Sequence, residues 1–143
     1  MKNVHLLNQV TDNLRKLFLT VDHIIPVEIL PSTIRTMEQQ KDYFARGVSK
    51  TMDSTHLIIP GVRELSEAVD AGPYPFSWPK EGSKDYWKDW GRLYYFAGVV
   101  IAVAHDLKIP IRYGGDWDGD FDLKDQNFYD GVHFEELTNA IKT

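Results

Sequence analysis

The chain has 143 residues, enough for one domain with a sizeable core, and its 43% hydrophobic and 26% charged content is that of a folded rather than a disordered protein. A net charge of -5 argues against nonspecific nucleic-acid binding, which needs a basic surface, and the absence of cysteine excludes disulfides and confines any zinc site to His and carboxylate ligands. No apolar run reaches the ~20 residues that cross a bilayer, and the start M-K-N-V-H-L-L-N-Q-V lacks the apolar stretch of a secretory signal, so no membrane insertion and no secretion are expected. Aromatic content is 13%, a density at which Tyr and Trp line grooves as well as cores.

Residues 4–19 place Leu6, Leu7, Val10, Leu14, Leu17 and Phe18 at helical spacing, with one face inward. Residues 21–30 are apolar and β-branched around Pro26 and predict a strand with an irregular start. Pro31-Ser32 marks a turn. Thr36 and Gln39 form a capping-box pair that opens a helix running to about Arg46, where Gly47 ends it. Residues 48–56 read as a polar loop, and Leu57-Ile58-Ile59 as a short apolar piece stopped by Pro60-Gly61. Residues 62–65 read as a helical turn or an insertion, and residues 67–70 as a strand closed by Gly72-Pro73. Pro73, Pro75 and Pro79 make residues 71–82 a rigid loop with Tyr74, Phe76 and Trp78 exposed or half-packed.

Ser83 is expected to cap the longest helix, residues 84–107. Its wide apolar face carries Trp87, Trp90, Leu93, Tyr94, Ala97, Val100, Ile101 and Ala104, and Pro110 stops it. Residues 109–113 predict a strand, residues 133–137 a strand or turn, and the last residues a short helix. No internal repeat or linker interrupts the chain, so residues 1–143 read as a single α+β domain, a small mostly antiparallel sheet flanked by helices.

The chemistry concentrates in R-Y-G-G-D-W-D-G-D-F-D-L-K-D-Q-N-F-Y-D-G-V-H-F, residues 112–134. Asp130 and His133 stand three apart across Gly131, a spacing that can set an acid/base beside a metal ligand. Of the five histidines, His56 in the turn-rich D-S-T-H is the natural second ligand, with Asp70 downstream in A-V-D. The plain alternative is a turn-capping His56, a strand His133 bonded to backbone and a turn aspartate at 130. Asp116, Asp118, Asp120, Asp122 and Asp125 cluster with Gly119 among them and partly match the alternating carboxylates of a calcium loop, though the closing Glu is absent; a solvated acidic loop is the competing reading. Ser54, His56 and Asp70 could also spell a serine hydrolase, but no G-x-S-x-G elbow surrounds Ser54.

Five motifs in order resemble the zinc D,D-peptidase group: I-R-T-M-E-Q-Q-K-D-Y-F-A-R-G at residues 34–47, S-T-H at 54–56, A-V-D at 68–70, G-G-D-W at 114–117 and D-G-V-H-F at 130–134. That group holds D-alanyl-D-alanine carboxypeptidases and dipeptidases and the L-alanyl-D-glutamate peptidases of phage endolysins. The short chain, the G-G-D-W loop and the Asp-x-x-His ending are most similar to the endolysins. The resemblance spans residues 34–137 and implies a D,D-peptidase-like fold holding zinc on His56, Asp70 and His133. It implies Asp130 as general base, Arg35 as the group that stabilises the oxyanion, and Gln39, Gln40, Ser54 and Trp117 as substrate contacts. One departure stands out. In the family pattern S-x-H-x-x-G-x-A-x-D the histidine and aspartate lie close, whereas His56 and Asp70 are fourteen apart, as if residues 57–66 were an inserted loop.

The implied activity is hydrolysis of the L-alanyl-D-glutamate bond of bacterial peptidoglycan. A D,D-carboxypeptidase on the same scaffold and a non-catalytic wall-binding or calcium-binding module are the alternatives. The implied setting is the host cytoplasm, with the wall reached only after release by another protein, and the working unit is expected to be a monomer.

Overall fold

The computed structural model describes residues 1–49, 51–52, 54–124 and 129–137. Four short strands, β1 (Val27–Ile29), β2 (Ala68–Pro73), β3 (Ile111–Tyr113) and β4 (His133–Glu136), form an antiparallel sheet in the order β1-β2-β4-β3. The helices are α1 (Asp12–Asp22), α2 (Met37–Ala45) and α3 (Tyr86–Leu107). This is the expected α+β class with an antiparallel sheet. Among the described residues no helix is long and apolar enough to cross a membrane.

Strand alternation gives the sheet two unlike faces. Val27, Ile29, Val69, Ala71, Tyr113 and Phe134 are buried in the main core with the apolar sides of α1 and α3. Phe134 sits centrally there, with ring centroids 5.6 Å from Phe18, 6.1 Å from Phe96 and 5.0 Å from Tyr113. The alternate positions Asp70, His133, Glu135 and Arg112 share the other face, with Asp70 opposite His133 and Arg112 opposite Glu135. Glu136 is turned the other way and accepts hydrogen bonds from Thr11 Oγ1 and Asn13 Nδ2, both at 2.7 Å, which ties the start of α1 to the end of β4.

The capping box forms as expected: the Thr36 hydroxyl accepts from the Gln39 N–H, Gln39 Oε1 accepts from the Thr36 N–H, and Gly47 follows the helix at φ 74°. Several boundaries differ from the sequence expectation. The single helix over residues 4–19 is two pieces, a 3₁₀ helix Val4–Gln9 and then α1, because Val10 is extended and bridges Ser66 while Thr11 caps α1. The strand over 21–30 begins only at Val27, since Val21 is buried on the last turn of α1. Residues 71–73 belong to β2 rather than to the following loop. Ser83 does not cap α3; its hydroxyl accepts from the Asp85 N–H and the helix starts at Tyr86. Trp87 lies on the outside of α3 at 80% exposure, whereas Phe96 and Val103 are inside. Lys108, in the left-handed region at φ 59°, ends α3 before Pro110 is reached. The expected C-terminal helix lies outside the described residues.

Two close approaches set the cleft side. The excursion of residues 57–66 folds back on itself, with Ile59 bridged to Arg63, and rejoins where it left: the Glu67 N–H donates to the Thr55 carbonyl at 2.9 Å. The extra chain length therefore does not separate His56 from Asp70. Gly114 lies so close to the turn before β4 that an added Cβ would stand 2.3 Å from the Asp130 carbonyl oxygen and 3.0 Å from His133 Cβ. We expect Gly114→Ala to destabilise the fold by on the order of 1–3 kcal/mol, because backbone and not a flexible side chain must move. Gly98→Ala, on the exposed side of α3 with open space around it, should stabilise by roughly 0.5–1 kcal/mol. Urea denaturation of the two variants checks this; an unchanged midpoint for Gly114→Ala would count against the tight approach.

Candidate metal centre and cleft

Each of the clustered side chains arrives by a different route. Asp70 and His133 are cross-strand partners on β2 and β4. His56 comes from a loop that runs parallel to the segment before α2, where the Arg35 N–H donates to the His56 carbonyl and the Ile58 N–H to the Arg35 carbonyl at 2.8 Å. That pairing brings Arg35 and His56 in together. Thr33 locks the segment to β2, since its hydroxyl accepts from the Asp70 N–H at 3.0 Å and donates to the Asp70 carbonyl at 3.1 Å. Ser54 Oγ accepts from the His56 N–H at 3.2 Å and holds that turn.

Outer contacts decide which ring nitrogens face inward. His56 Nδ1 lies 2.9 Å from the Thr33 carbonyl, which can only accept, so Nδ1 carries the proton and Nε2 keeps its lone pair. His133 Nε2 lies 2.8 Å from Glu135 Oε1, which leaves Nδ1 as the inward atom. His56 Nε2 and His133 Nδ1 are 2.9 Å apart, and Asp70 Oδ1 is 3.0 Å from the first and 3.5 Å from the second. Asp70 Oδ1 is buried, and no N–H is aligned on it. Three electron-rich atoms turned toward one another in a buried site repel unless a proton or a cation lies among them. Two imidazole nitrogens and one carboxylate oxygen, all within 4.8 Å of one another, are a donor set that fits a metal ion with a coordination position left open. His56, Asp70 and His133 can therefore hold a metal.

Without a metal, a proton takes that central place: burial alone would raise the Asp70 carboxyl, but the positive charge of His56 and His133 when protonated outweighs it and holds the group well below the usual carboxylate range. Burial would lower His133, but Asp70 and Glu135 more than compensate and push it up to about 9. Glu135 is lowered, the penalty of burial being overcome by its bonds to His133 and Arg112. Asp70 Oδ2 accepts from Ser32 Oγ at 2.6 Å and from Arg35 Nη2 at 3.2 Å, so the carboxylate is fixed from behind.

A cleft of about 270 Å³ opens over this cluster, and Arg35, Ser54, Trp117, Asp130 and Arg112 are on its walls. Asp130 lies beside the ligand cluster, not among its donor atoms; its N–H donates to the Gly114 carbonyl and its carbonyl accepts from the His133 N–H. Burial, and then the charge of Asp70, raise its carboxyl above the ordinary range. The Arg35 guanidinium donates to the Ser32 carbonyl, Gln40 Oε1 and Asp70, and lies 5.0 Å from the Tyr43 ring centroid. The Trp117 ring is tilted against His133 at 5.3 Å between centroids.

The two glutamines expected at the substrate have other tasks. Gln39 is spent on the capping box, and Gln40 is fully buried, donating to Ser49 Oγ and the Thr51 carbonyl while it orients Arg35. The acidic loop gathers carboxylates of Asp116, Asp118 and Asp120 within 4.8 Å, while Asp122 accepts from the Lys124 N–H and Asp125 lies outside the described residues. Sequence reasoning passed over Thr33, Glu135 and Arg112. For Glu135 a signal existed: two residues after His133 on a strand is the same face. Thr33 carried none, because its part depends on where its carbonyl falls.

No curated protein sequence matches the chain. A crystal structure of the Serratia marcescens L-Ala D-Glu endopeptidase ChiX is similar in fold, with a TM-score of 0.64 at 20% identity, covering 96% of this chain and 87% of that one. The family model of the phage L-alanyl-D-glutamate peptidases matches residues 2–137, and the chain belongs to that family.

Proposed function

We propose that the protein is a zinc-dependent L-alanyl-D-glutamate peptidase of bacterial peptidoglycan, with His56, Asp70 and His133 as the metal ligands. The observation that carries the reading is the buried convergence of His56 Nε2, Asp70 Oδ1 and His133 Nδ1 beneath a cleft walled by Asp130 and Arg35, in a chain of this family. Zinc, when bound there, acidifies a water molecule and polarises the scissile carbonyl. Asp130 takes the proton of the attacking water and passes it to the leaving D-glutamyl amine, a part suited to a carboxylate whose proton affinity is raised by burial. Arg35 offers donors to the oxyanion that forms on the alanyl carbonyl, while its bond to Asp70 keeps that ligand in place. Thr33 and Glu135 hold the two imidazoles in the tautomers that ligation needs.

A second, smaller reading concerns the acidic loop, which binds calcium through Asp116, Asp118 and Asp120. In its favour, Asp116 is only 6% exposed and its Oδ1 has no hydrogen-bond partner, while Oδ2 accepts from the Phe121 N–H. A buried carboxylate oxygen facing two further carboxylates is costly without a cation.

Digesting purified peptidoglycan and identifying the new termini tests the bond: alanyl carboxyl and D-glutamyl amino ends are expected, and release of D-alanine alone would favour the D,D-carboxypeptidase alternative. Elemental analysis should find one zinc per chain, lost together with activity in His133→Ala; full activity after exhaustive chelation would refute the metal assignment. Asp130→Asn should lower turnover by on the order of 10²- to 10⁴-fold with zinc retained, whereas Asp70→Asn should lose zinc. For the loop, calorimetry on zinc-loaded protein should register calcium binding that Asp116→Asn weakens, and no heat at millimolar calcium retires the idea.

A further inference from the structure

We propose that Arg112 reads the free carboxylate of the D-glutamyl residue and so sets selectivity for the acid side of the scissile bond. This rests on the L-alanyl-D-glutamate reading above. D-glutamate supplies the amine of that bond and owns two carboxyl groups. The chain continues through one of them, whichever it is, and the other enters the cleft as an anion next to the reacting centre. It meets a cleft already lined by the carboxylates of Asp130 and Glu135, in a chain of net charge -5. A cation must answer it.

Two guanidiniums line the cleft. Arg35 is turned inward: Nε, Nη1 and Nη2 donate to Ser32, Gln40 and Asp70, only 11% of its side chain is exposed, and its remaining N–H groups are those offered to the oxyanion. Arg112 is different. Its side chain is 43% exposed, and it reaches the cleft from β3, directly across the ladder from Glu135. Nη2 donates to Glu135 Oε2 at 2.9 Å, and the guanidinium carbon lies 5.3 Å from the Trp117 ring centroid. One edge and one face are thus used to hold the fork still, a preorganisation that suits a planar carboxylate and that a lysine could not reproduce. The other oxygen of the same Glu135 accepts from His133 Nε2 at 2.8 Å. Arg112 is therefore one carboxylate removed from the ligand cluster, within the cleft that would receive a charge carried next to the scissile bond.

A purely structural Arg112 that only braces Glu135 predicts something else: its loss would damage the site for every substrate alike. Two peptides separate the cases, one with free D-glutamate after L-alanine and one with that carboxylate converted to its amide. The wild-type enzyme should cleave the acid with kcat/KM roughly 10- to 100-fold above the amide, mostly through KM, the range set by a charge-assisted hydrogen bond. Arg112→Gln should lose that preference, falling further on the acid than on the amide, and Arg112→Lys should retain part of it. Equal wild-type rates on the two peptides would overturn the assignment while leaving the peptidase reading intact, and so would an equal fall on both in Arg112→Gln. Cleavage of neither peptide at the alanyl bond would overturn the peptidase reading itself, and this assignment with it. Equal wild-type rates are decisive without any variant, and Arg112→Lys, which keeps a cation beside Glu135, carries the test of this residue if Arg112→Gln loses its metal: an unchanged acid preference in Arg112→Lys would also overturn the assignment.

Discussion

Asp70 and His133 face each other across β2 and β4, and the rest of the molecule either holds that pair or is held by it. A carboxylate and an imidazole at less than a tenth exposure are costly to bury. The cost is met by an outer ring of partners: Ser32 and Arg35 on the aspartate, Glu135 on the imidazole, Thr33 on the third member, His56. Every one of these bonds points away from the centre. The inward atoms are left to converge, which makes a donor set that can hold a cation and a poor core.

The sheet is what permits this. Strand alternation delivers Val69, Ala71, Tyr113 and Phe134 to the core and Asp70, His133, Glu135 and Arg112 to the cleft without any residue serving both. The aromatic packing around Phe134 thus fixes the backbone of β4 from one side, and the polar cluster reads its position from the other. A rigid apolar layer beneath a small polar site is how a 143-residue chain can hold these side chains in place while keeping a cleft open above them. Gly114 belongs to the same constraint, since the loop carrying Trp117 can approach the Asp130 turn only where there is no side chain.

Arg35 and Arg112 divide the positive charge of the cleft between two duties. Arg35 is bound to a ligand and to a buried glutamine, and its freedom is small. Arg112 is braced by Glu135 and Trp117 and remains open to solvent. Both are linked through a single carboxylate to the ligand cluster, Asp70 for one and Glu135 for the other.

The sequence by itself determined the class, the capping box of α2, the apolar stretch of α3 and the family, because these rest on local pattern: periodicity, caps and the order of five motifs. It also named His56, Asp70, Asp130, His133 and Arg35, residue types whose chemistry is recognisable without coordinates. It misplaced the break at Val10 and the start of β1, where a bridge to Ser66 and the burial of Val21 override local preference. It could not decide whether fourteen residues between His56 and Asp70 were too many. Only the tertiary structure answers that, because the excursion closes on itself between Thr55 and Glu67. Tertiary structure likewise took Gln40 out of the cleft and put it behind Arg35, and made the Thr33 carbonyl the partner of His56. Such roles depend on where a backbone oxygen or an amide ends up in space, and no spacing along the chain encodes that directly.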